Sequence, residues 1–143
     1  MCQTFWENIL LFKKLYDETL DPVALDSGLT RMELDLLLFL HNNPEYNTAA
    51  DAVRLRRWTK SHVSAAVHGL ERKGLLSASH PPGNRKILRL NPLPAAGGII
   101  RQGTAAQGRF VDALTQGIPP EELALVEQAV QKITRNIRKL EKK

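Results

Sequence analysis

Apolar residues near the start of the chain recur every three or four positions. The spacing from Phe5 to Leu20, with charged residues between them, predicts an amphipathic helix. We expect this helix to end at Asp21-Pro22 and Gly28, because proline and glycine both disfavour a helix interior. A capping box at Thr30-Arg31-Met32-Glu33 then predicts the start of a strongly apolar helix that ends before Pro44.

The middle of the chain has the pattern of two helices followed by a hairpin. The first helix is predicted from Thr48 to about Arg54, and the second from the N-cap Thr59 to about Lys73. Gly74 suits the C-terminal cap of the second helix. Two short strands are predicted at Leu75–Ser79 and Lys86–Leu90, with turn-forming residues between them. The buried stripe of the second helix is predicted to be Val63, Val67 and Leu70.

The last third of the chain is predicted to hold two more helices. Asn91-Pro92 suits the start of the first one. Glycines within it mean that tertiary packing must hold this helix or that it is kinked. These glycines are Gly97, Gly98, Gly103 and Gly108. Gly117 is expected to end the helix, and Pro119-Pro120-Glu121-Glu122 to begin the last one. The apolar residues of the last helix follow a heptad pattern at Leu123, Val126, Val130, Ile133, Ile137 and Leu140.

Composition narrows the class of protein. A chain of 143 residues with 43% hydrophobic content suits one domain, residues 1–143, and excludes a disordered chain. No apolar run approaches the roughly 20 residues that span a bilayer, and no signal peptide is visible. The single cysteine, Cys2, cannot form an internal disulfide, so a cytoplasmic location is expected.

The net charge of +5 is unevenly distributed along the chain. Residues 51–90 hold nine Lys and Arg against two Asp and Glu, whereas residues 1–50 hold three against eight. A basic middle segment suggests contact with a polyanion, although a solvated basic surface is the simpler alternative. The helices and hairpin predicted for this segment favour contact with a polyanion over a solvated basic surface.

Two helices and a hairpin in this order are typical of a winged helix-turn-helix, whose second helix lies in the major groove of DNA. Small polar residues at the start of that helix allow close approach, and hydroxyl, imidazole or cationic groups can bind base edges or phosphates. A basic hairpin tip can enter a narrow minor groove. The candidate DNA-binding residues are Arg54, Arg56, Arg57, Thr59, Lys60, Ser61, His62, Ser64, Arg85 and Lys86. The alternative is a winged-helix interaction or ligand-binding module that does not bind DNA.

The sequence resembles a known family at these elements. The runs from Trp58 to Ser64 and from Leu70 to Leu76 resemble the recognition-helix signature of the MarR family of transcriptional regulators. The resemblance is strongest at residues 47–90 and extends over nearly the whole chain. It implies a mainly α fold with a small β-wing, in a homodimeric repressor that binds a pseudo-palindromic operator and is released by a small molecule. The implied parts are a winged helix-turn-helix lobe at about 30–91 and dimerisation helices at about 3–20 and 92–143.

The chain departs from the family pattern in two places. The family's wing tip usually reads Asp-Arg-Arg, whereas here it reads Gly83-Asn84-Arg85-Lys86. Arg85 matches the wing arginine, but the acidic residue that commonly braces it is replaced. After the wing the family usually reads Leu-Thr-x-x-Gly, whereas here Leu90 is followed by Asn91-Pro92-Leu93-Pro94, so the next helix is expected to start differently.

The first and last helices are the candidate dimer interface. A two-fold axis would match DNA half-sites that are one helical turn apart. The predicted interface residues are Trp6, Ile9, Leu10, Leu123, Val126, Val130, Ile133 and Ile137. The alternative is that the heptad stripe packs within its own subunit.

Other kinds of site are not indicated. Cys2 could sense peroxide as in some relatives, but it lies too early in the chain, and a bystander role is favoured. The four histidines lack metal-ligand spacing, so no metal site is expected. Neither a Gly-rich phosphate loop nor a nucleophile beside a base can be placed, so no cofactor and no enzymatic activity are expected. The family implies an effector pocket, whose plausible wall residues Trp6, Leu37, Phe39 and His41 are better explained as ordinary core.

Overall fold

The computed structural model describes residues 3–142, so Cys2 lies outside the described residues. The chain divides into two compact units, with the boundary between Gly108 and Arg109. The elements of the chain are α1 Gln3–Glu7, α2 Ile9–Asp26, α3 Arg31–Asn42, α4 Ala49–Arg56, α5 Lys60–Arg72, β1 Leu76–Ser79, β2 Arg89–Pro92, α6 Gly97–Leu114 and α7 Pro120–Glu141.

The N-terminal helical segment differs from the prediction at both ends. It is two helices, because a turn at Asn8 separates α1 from α2. The prediction that Asp21-Pro22 ends the helix is wrong, since α2 continues through Pro22 to Asp26. Proline removes only one helical hydrogen bond, and burial of Leu20 and Ala24 on either side of it stabilises the continuous helix. Gly28, at φ 70°, lies in the turn that follows α2.

Helix α3 forms the centre of the core of the first unit. The predicted capping box is confirmed: the Thr30 hydroxyl accepts from the Glu33 amide at 3.1 Å, and a Glu33 carboxylate oxygen accepts from the Thr30 amide at 2.8 Å. Five consecutive residues, from Leu36 to Leu40, are buried, so α3 has core on nearly all sides. Helices α2 and α5 and strand β2 all pack against it.

One arginine joins α2 to α3 through three carboxylates. Arg31 donates to Asp17 and Asp21 at 2.9 Å and to Asp35 at 2.8 Å. Its guanidinium also lies 5.3 Å from the centroid of the Tyr16 ring. Burial acts to lower the pKa of Arg31, but the carboxylates outweigh it and raise that pKa. Burial raises the pKa of Asp35 in spite of the ion pair.

The hairpin is confirmed, but its second strand is shifted along the chain. Strands β1 and β2 are antiparallel, with Leu76 opposite Pro92 and Ser79 opposite Arg89. The predicted strand Lys86–Leu90 is wrong for its first three residues, because Lys86 lies in the turn and the strand begins at Arg89. Segment 47–49 also pairs with this region: the Ala49 amide donates to the Leu88 carbonyl at 3.0 Å.

The helix expected at Asn91-Pro92 also begins later. Both residues belong to β2, and α6 starts at Gly97 after a short 3-10 turn, Pro94–Ala96. Helix α6 is not broken by its glycines. Gly103 packs so closely on α3 that an added Cβ would lie 2.7 Å from Leu38 Cδ2. Of the two predicted alternatives, packing or a kink, the structure therefore shows that tertiary packing holds this helix.

The second unit contains the end of α6 and the whole of α7. Gly117, at φ 80°, lies in the turn between them, and Pro119 and Pro120 begin α7 as predicted. Within Pro120–Glu141, every residue of which is described, no residue is buried. The exposed apolar side chains of α7 are Leu125, Val126, Val130, Ile133, Ile137 and Leu140.

Residues 3–142 lack the features of two other kinds of site, a membrane-spanning helix and a metal cluster. In that part of the chain, no helix has the length and apolar character to cross a bilayer. The same residues contain no group of three or more His, Cys, Asp or Glu side chains that could hold a metal ion.

Candidate nucleic-acid interface

Helix α4 begins with a second capping box, which also fixes a cationic side chain. The Thr48 hydroxyl accepts from the Asp51 amide at 3.1 Å, and one Asp51 carboxylate oxygen accepts from the Thr48 amide at 3.3 Å. The other oxygen accepts from Arg54 at 3.0 Å. Burial acts to raise the pKa of Asp51, but the hydrogen bonds from Thr48 and Arg54 outweigh it and lower that pKa. Arg54 is thereby oriented at the surface of α4.

An aromatic pair anchors the turn between α4 and α5. Phe39 of α3 and Trp58 meet edge to face, with ring centroids 6.0 Å apart. The Arg56 guanidinium lies 5.1 Å from the centroid of the Trp58 ring, within cation–π range. Arg57 has φ 59°, in the left-handed region, at the point where the chain leaves α4. Arg56 and Arg57 are both exposed on this turn.

The start of α5 is a capped helix end with a polar surface. The Thr59 hydroxyl accepts from the His62 amide at 3.1 Å and lies 3.2 Å from the Ser61 hydroxyl. The predicted N-cap is therefore confirmed, and the role of Thr59 in DNA contact stays a prediction. The exposed residues that follow are Lys60, Ser61, His62 and Ser64. The predicted buried stripe is confirmed and gains Ala66.

A buried carboxylate holds the far end of α5 against α3. Glu33 accepts from the Lys73 ammonium at 2.7 Å and is 3% exposed. Burial acts to raise the pKa of Glu33, but Lys73 and Thr30 outweigh it and lower that pKa. The other Glu33 oxygen is buried against Gly69, where a Cβ would collide with it. Glycine at this position thus lets α5 lie close to α3.

The hairpin tip is braced by its own asparagine. The Asn84 side-chain oxygen accepts from the Lys86 amide at 3.0 Å, and the Asn84 amide donates to the Pro81 carbonyl at 3.0 Å. Gly83 supplies φ 76° in this turn. The Asn84 side chain therefore orders the hairpin tip through an Asx turn. In the family pattern, an acidic residue commonly braces the tip instead. Arg85 and Lys86 are both exposed there.

A cleft of about 750 Å³ lies between α4, α5 and the hairpin. Four of the predicted site residues line it: Arg54, Lys60, Ser64 and Lys86. Its walls also contain small apolar residues, and two histidines that the prediction omitted, His68 and His80. The other six predicted residues, on the turn, the start of α5 and the hairpin tip, are outside the lining of this cleft. Their roles in binding stay predictions.

The omitted residues differ in how far the sequence could have identified them. His68 follows Ser64 by four positions, so helical periodicity alone places it on the same face of α5. His80, Glu33 and Gly69 required the tertiary structure, because their partners are distant in sequence or lie across the hairpin.

Sequence comparison identifies the winged-helix lobe. Residues 27–87 match the sequence model of the MarR family. The winged-helix lobe is thus similar in sequence to the MarR family. No curated protein is similar to the chain in sequence.

Three solved structures, two of them of MarR-family regulators, share the fold over nearly the whole chain. A MarR-family transcriptional regulator from Listeria monocytogenes, solved in complex with 26mer DNA, is 16% identical, with a TM-score of 0.80 over 96% of this chain and 90% of that one. A MarR-family regulator from Silicibacter pomeroyi is 18% identical, with a TM-score of 0.76 over 94% and 88%. BpsR from Bordetella bronchiseptica, whose DNA binding is regulated by 6-hydroxynicotinic acid, is 16% identical, with a TM-score of 0.69 over 92% and 99%. At these identities the likeness establishes the MarR fold.

Proposed function

We propose that this protein is a MarR-family transcriptional regulator that binds double-stranded DNA in a sequence-specific manner. The observation that carries the proposal is the surface formed by the capped start of α5 and the basic hairpin tip. Helix α5 presents Ser61 and His62 for base edges in the major groove, and Arg85 enters the adjacent minor groove. The Listeria relative, which was solved with DNA, supports this assignment.

The active species in this proposal is a homodimer. Both α1–α2 and α7 carry exposed apolar side chains that a second copy can cover: Trp6 is 56% exposed, Leu10 79% and Ile137 58%. Isolated apolar residues are common on protein surfaces, but rows of this extent mark an interaction surface. A two-fold dimer binds two half-sites one helical turn apart, which gives a pseudo-palindromic operator.

The regulatory output in this proposal is repression that a small molecule relieves. Repression follows when a dimer that occupies an operator blocks transcription. BpsR gives a precedent for control of DNA binding by a small aromatic acid in a protein of this fold.

The decisive experiment is selection of bound duplexes from a random library, followed by affinity measurements on the selected sequence. We expect two half-sites about ten base pairs apart. We also expect log affinity to fall linearly with log salt concentration, because phosphate contacts release counterions. The alternative, an interaction or ligand-binding module, would be favoured if the selection enriched no sequence and the folded protein bound no duplex at low salt.

Variants separate the roles within the surface. Arg85→Ala is expected to weaken binding to all duplexes and to reduce the salt slope by about one for each half-site. Ser61→Ala and His62→Ala are expected to change sequence preference. At the affected base pair, the discrimination against the wrong base should fall by about 1–3 kcal/mol. The matched control is Lys132→Ala, an exposed cation of α7 outside its apolar row, which should leave both the affinity and the salt slope unchanged.

A further inference from the structure

His80 is fixed at the edge of the cleft by the hairpin itself. Its Nδ1 atom lies 2.8 Å from the Ile87 carbonyl oxygen. A carbonyl only accepts hydrogen bonds, so Nδ1 must carry a proton. In the neutral ring, Nε2 is then an unprotonated acceptor, which a phosphate oxygen cannot bind. Once Nε2 is protonated, His80 becomes a cation with a second donor.

The position of the cleft determines what this donor would meet. In the proposed complex, α5 lies in the major groove and the hairpin tip in the adjacent minor groove. One sugar-phosphate backbone separates two neighbouring grooves of a duplex, so this backbone has to cross the cleft between α5 and the hairpin. The apolar floor of the cleft, which includes Val63, Val67 and Leu88, suits the deoxyribose, and its cationic rim suits the phosphates.

The charged groups around the cleft come from every element that lines it. Helix α4 supplies Arg54. Helix α5 supplies Lys60, His68 and Glu71, and the hairpin region supplies His80 and Lys86. Among residues 3–142, Glu71 is the one carboxylate that lines the cleft, and its Oε1 atom is 3.8 Å from His68 Nδ1. A protonated His68 is thus partly neutralised by Glu71, whereas the partner of His80 is an uncharged carbonyl.

We propose that His80 is a proton-linked contact to the DNA backbone, with His68 as a weaker second one. This inference rests on the proposed DNA-binding function. DNA binding should take up a proton at His80, so affinity should be high at acidic pH and fall as pH rises through the range in which histidine loses its charge. The phosphodiesters keep their charge throughout this range, so the change originates in the protein.

The test measures the affinity of the full chain for its selected duplex between pH 6 and pH 8 at constant salt. We expect a loss of affinity of about tenfold or more for the wild-type protein over this range, since each linked proton changes affinity by at most about tenfold per pH unit and a dimer carries one His80 at each half-site. His80→Gln should flatten this dependence markedly, and His68→Gln should do so less. His41→Gln, an exposed histidine of α3 that does not line the cleft, is the matched control and should keep the wild-type profile.

His80→Arg distinguishes a charge effect from a purely structural one. Arginine stays charged, so this variant should bind at pH 8 about as tightly as the wild type binds at pH 6. If His80 serves only to brace the hairpin through Ile87, both His80→Gln and His80→Arg should weaken binding equally at every pH. That result, or a His80→Gln profile parallel to the wild-type profile, would overturn this inference. Absence of binding to any duplex at any pH would instead overturn the proposed function.

Discussion

Helices α3 and α7 are both regular and amphipathic, yet they differ completely in burial. Seven of the 12 residues of α3 are buried, whereas none of the 22 residues of α7 is. The apolar side of α3 is covered by neighbouring elements of the first unit. The apolar row of α7 faces solvent in the single chain, so α7 has the composition of an interface while α3 has that of a core. The two helices should therefore respond to mutation in opposite ways.

The largest effect is expected from a charge placed in the apolar row of α7. Ile137→Asp should leave the fold of the first unit intact but prevent dimer formation, because a carboxylate would be buried between two copies. Loss of the second half-site contact should lower operator affinity by about a hundredfold or more. Sedimentation velocity and DNA titration measure the two effects. Gln128→Asp, on the opposite side of α7, is the control; equal behaviour of both variants would contradict the proposed interface.

A methyl group at Gly69 should damage the α3–α5 packing. The added Cβ would collide with the Glu33 carboxylate, so Gly69→Ala should lower the free energy of unfolding by about 1–3 kcal/mol. Gly108→Ala is the matched control in α6, where nothing lies within 4 Å of the new Cβ. That substitution should stabilise the helix by up to about 1 kcal/mol. Thermal unfolding compares the two, and a stable Gly69→Ala protein would show that the contact is dispensable.

Acidification should weaken the contact between α3 and the end of α5, where Glu33 pairs with Lys73. The folded state lowers the pKa of Glu33, so this group contributes stability above its unfolded pKa of about 4.3, and that contribution is lost as pH falls through the folded pKa. Lys73→Met should cost about 1–3 kcal/mol at pH 7, because the buried carboxylate loses its partner. The cost should shrink below about pH 4. Urea unfolding at both pH values tests this, and Lys132→Met provides an exposed-lysine control.

The smallest effect on stability is expected at the start of α5. Thr59→Ala removes the N-cap of α5 and should lower stability by about 1 kcal/mol. Ser61→Ala, two residues further on, removes no backbone cap and should leave stability nearly unchanged. Equal losses of stability in the two variants would mean that the Thr59 hydroxyl does not cap the helix. Chemical denaturation of both proteins measures the difference.

Much of the fold was predictable where local signals agree with packing. The capping box at Thr30, the cap at Thr59 and the stop at Gly74 each depend on neighbours within a few residues, so the sequence predicts them correctly. Pro22 was misleading because long-range burial of Leu20 and Ala24 outweighs the local cost of proline. Asn91-Pro92 was misleading for a similar reason, since pairing with β1 places both residues in a strand.

The candidate site was predictable only in its outline. Periodicity and charge identified the exposed face of α5 and the basic hairpin tip. They did not reveal that Asn84 braces the tip, or that Gly69 sets the distance between α3 and α5, because both depend on side-chain geometry. Nor could they place His80 beside the cleft, since the hairpin contact to Ile87 determines its position and its tautomer.

The ion pairs around Arg31 limit how far the chain can be shortened. The segment that matches the family model begins at residue 27, after both Asp17 and Asp21. A fragment cut at that point would lose two of the three carboxylates that hold Arg31, together with Leu20 and Ala24 from the core. It would also lose Ile100 and Ala106 if it ended with the matched segment at residue 87. The stretch recognised as a domain by its sequence is therefore smaller than the smallest piece of this chain that is expected to fold by itself.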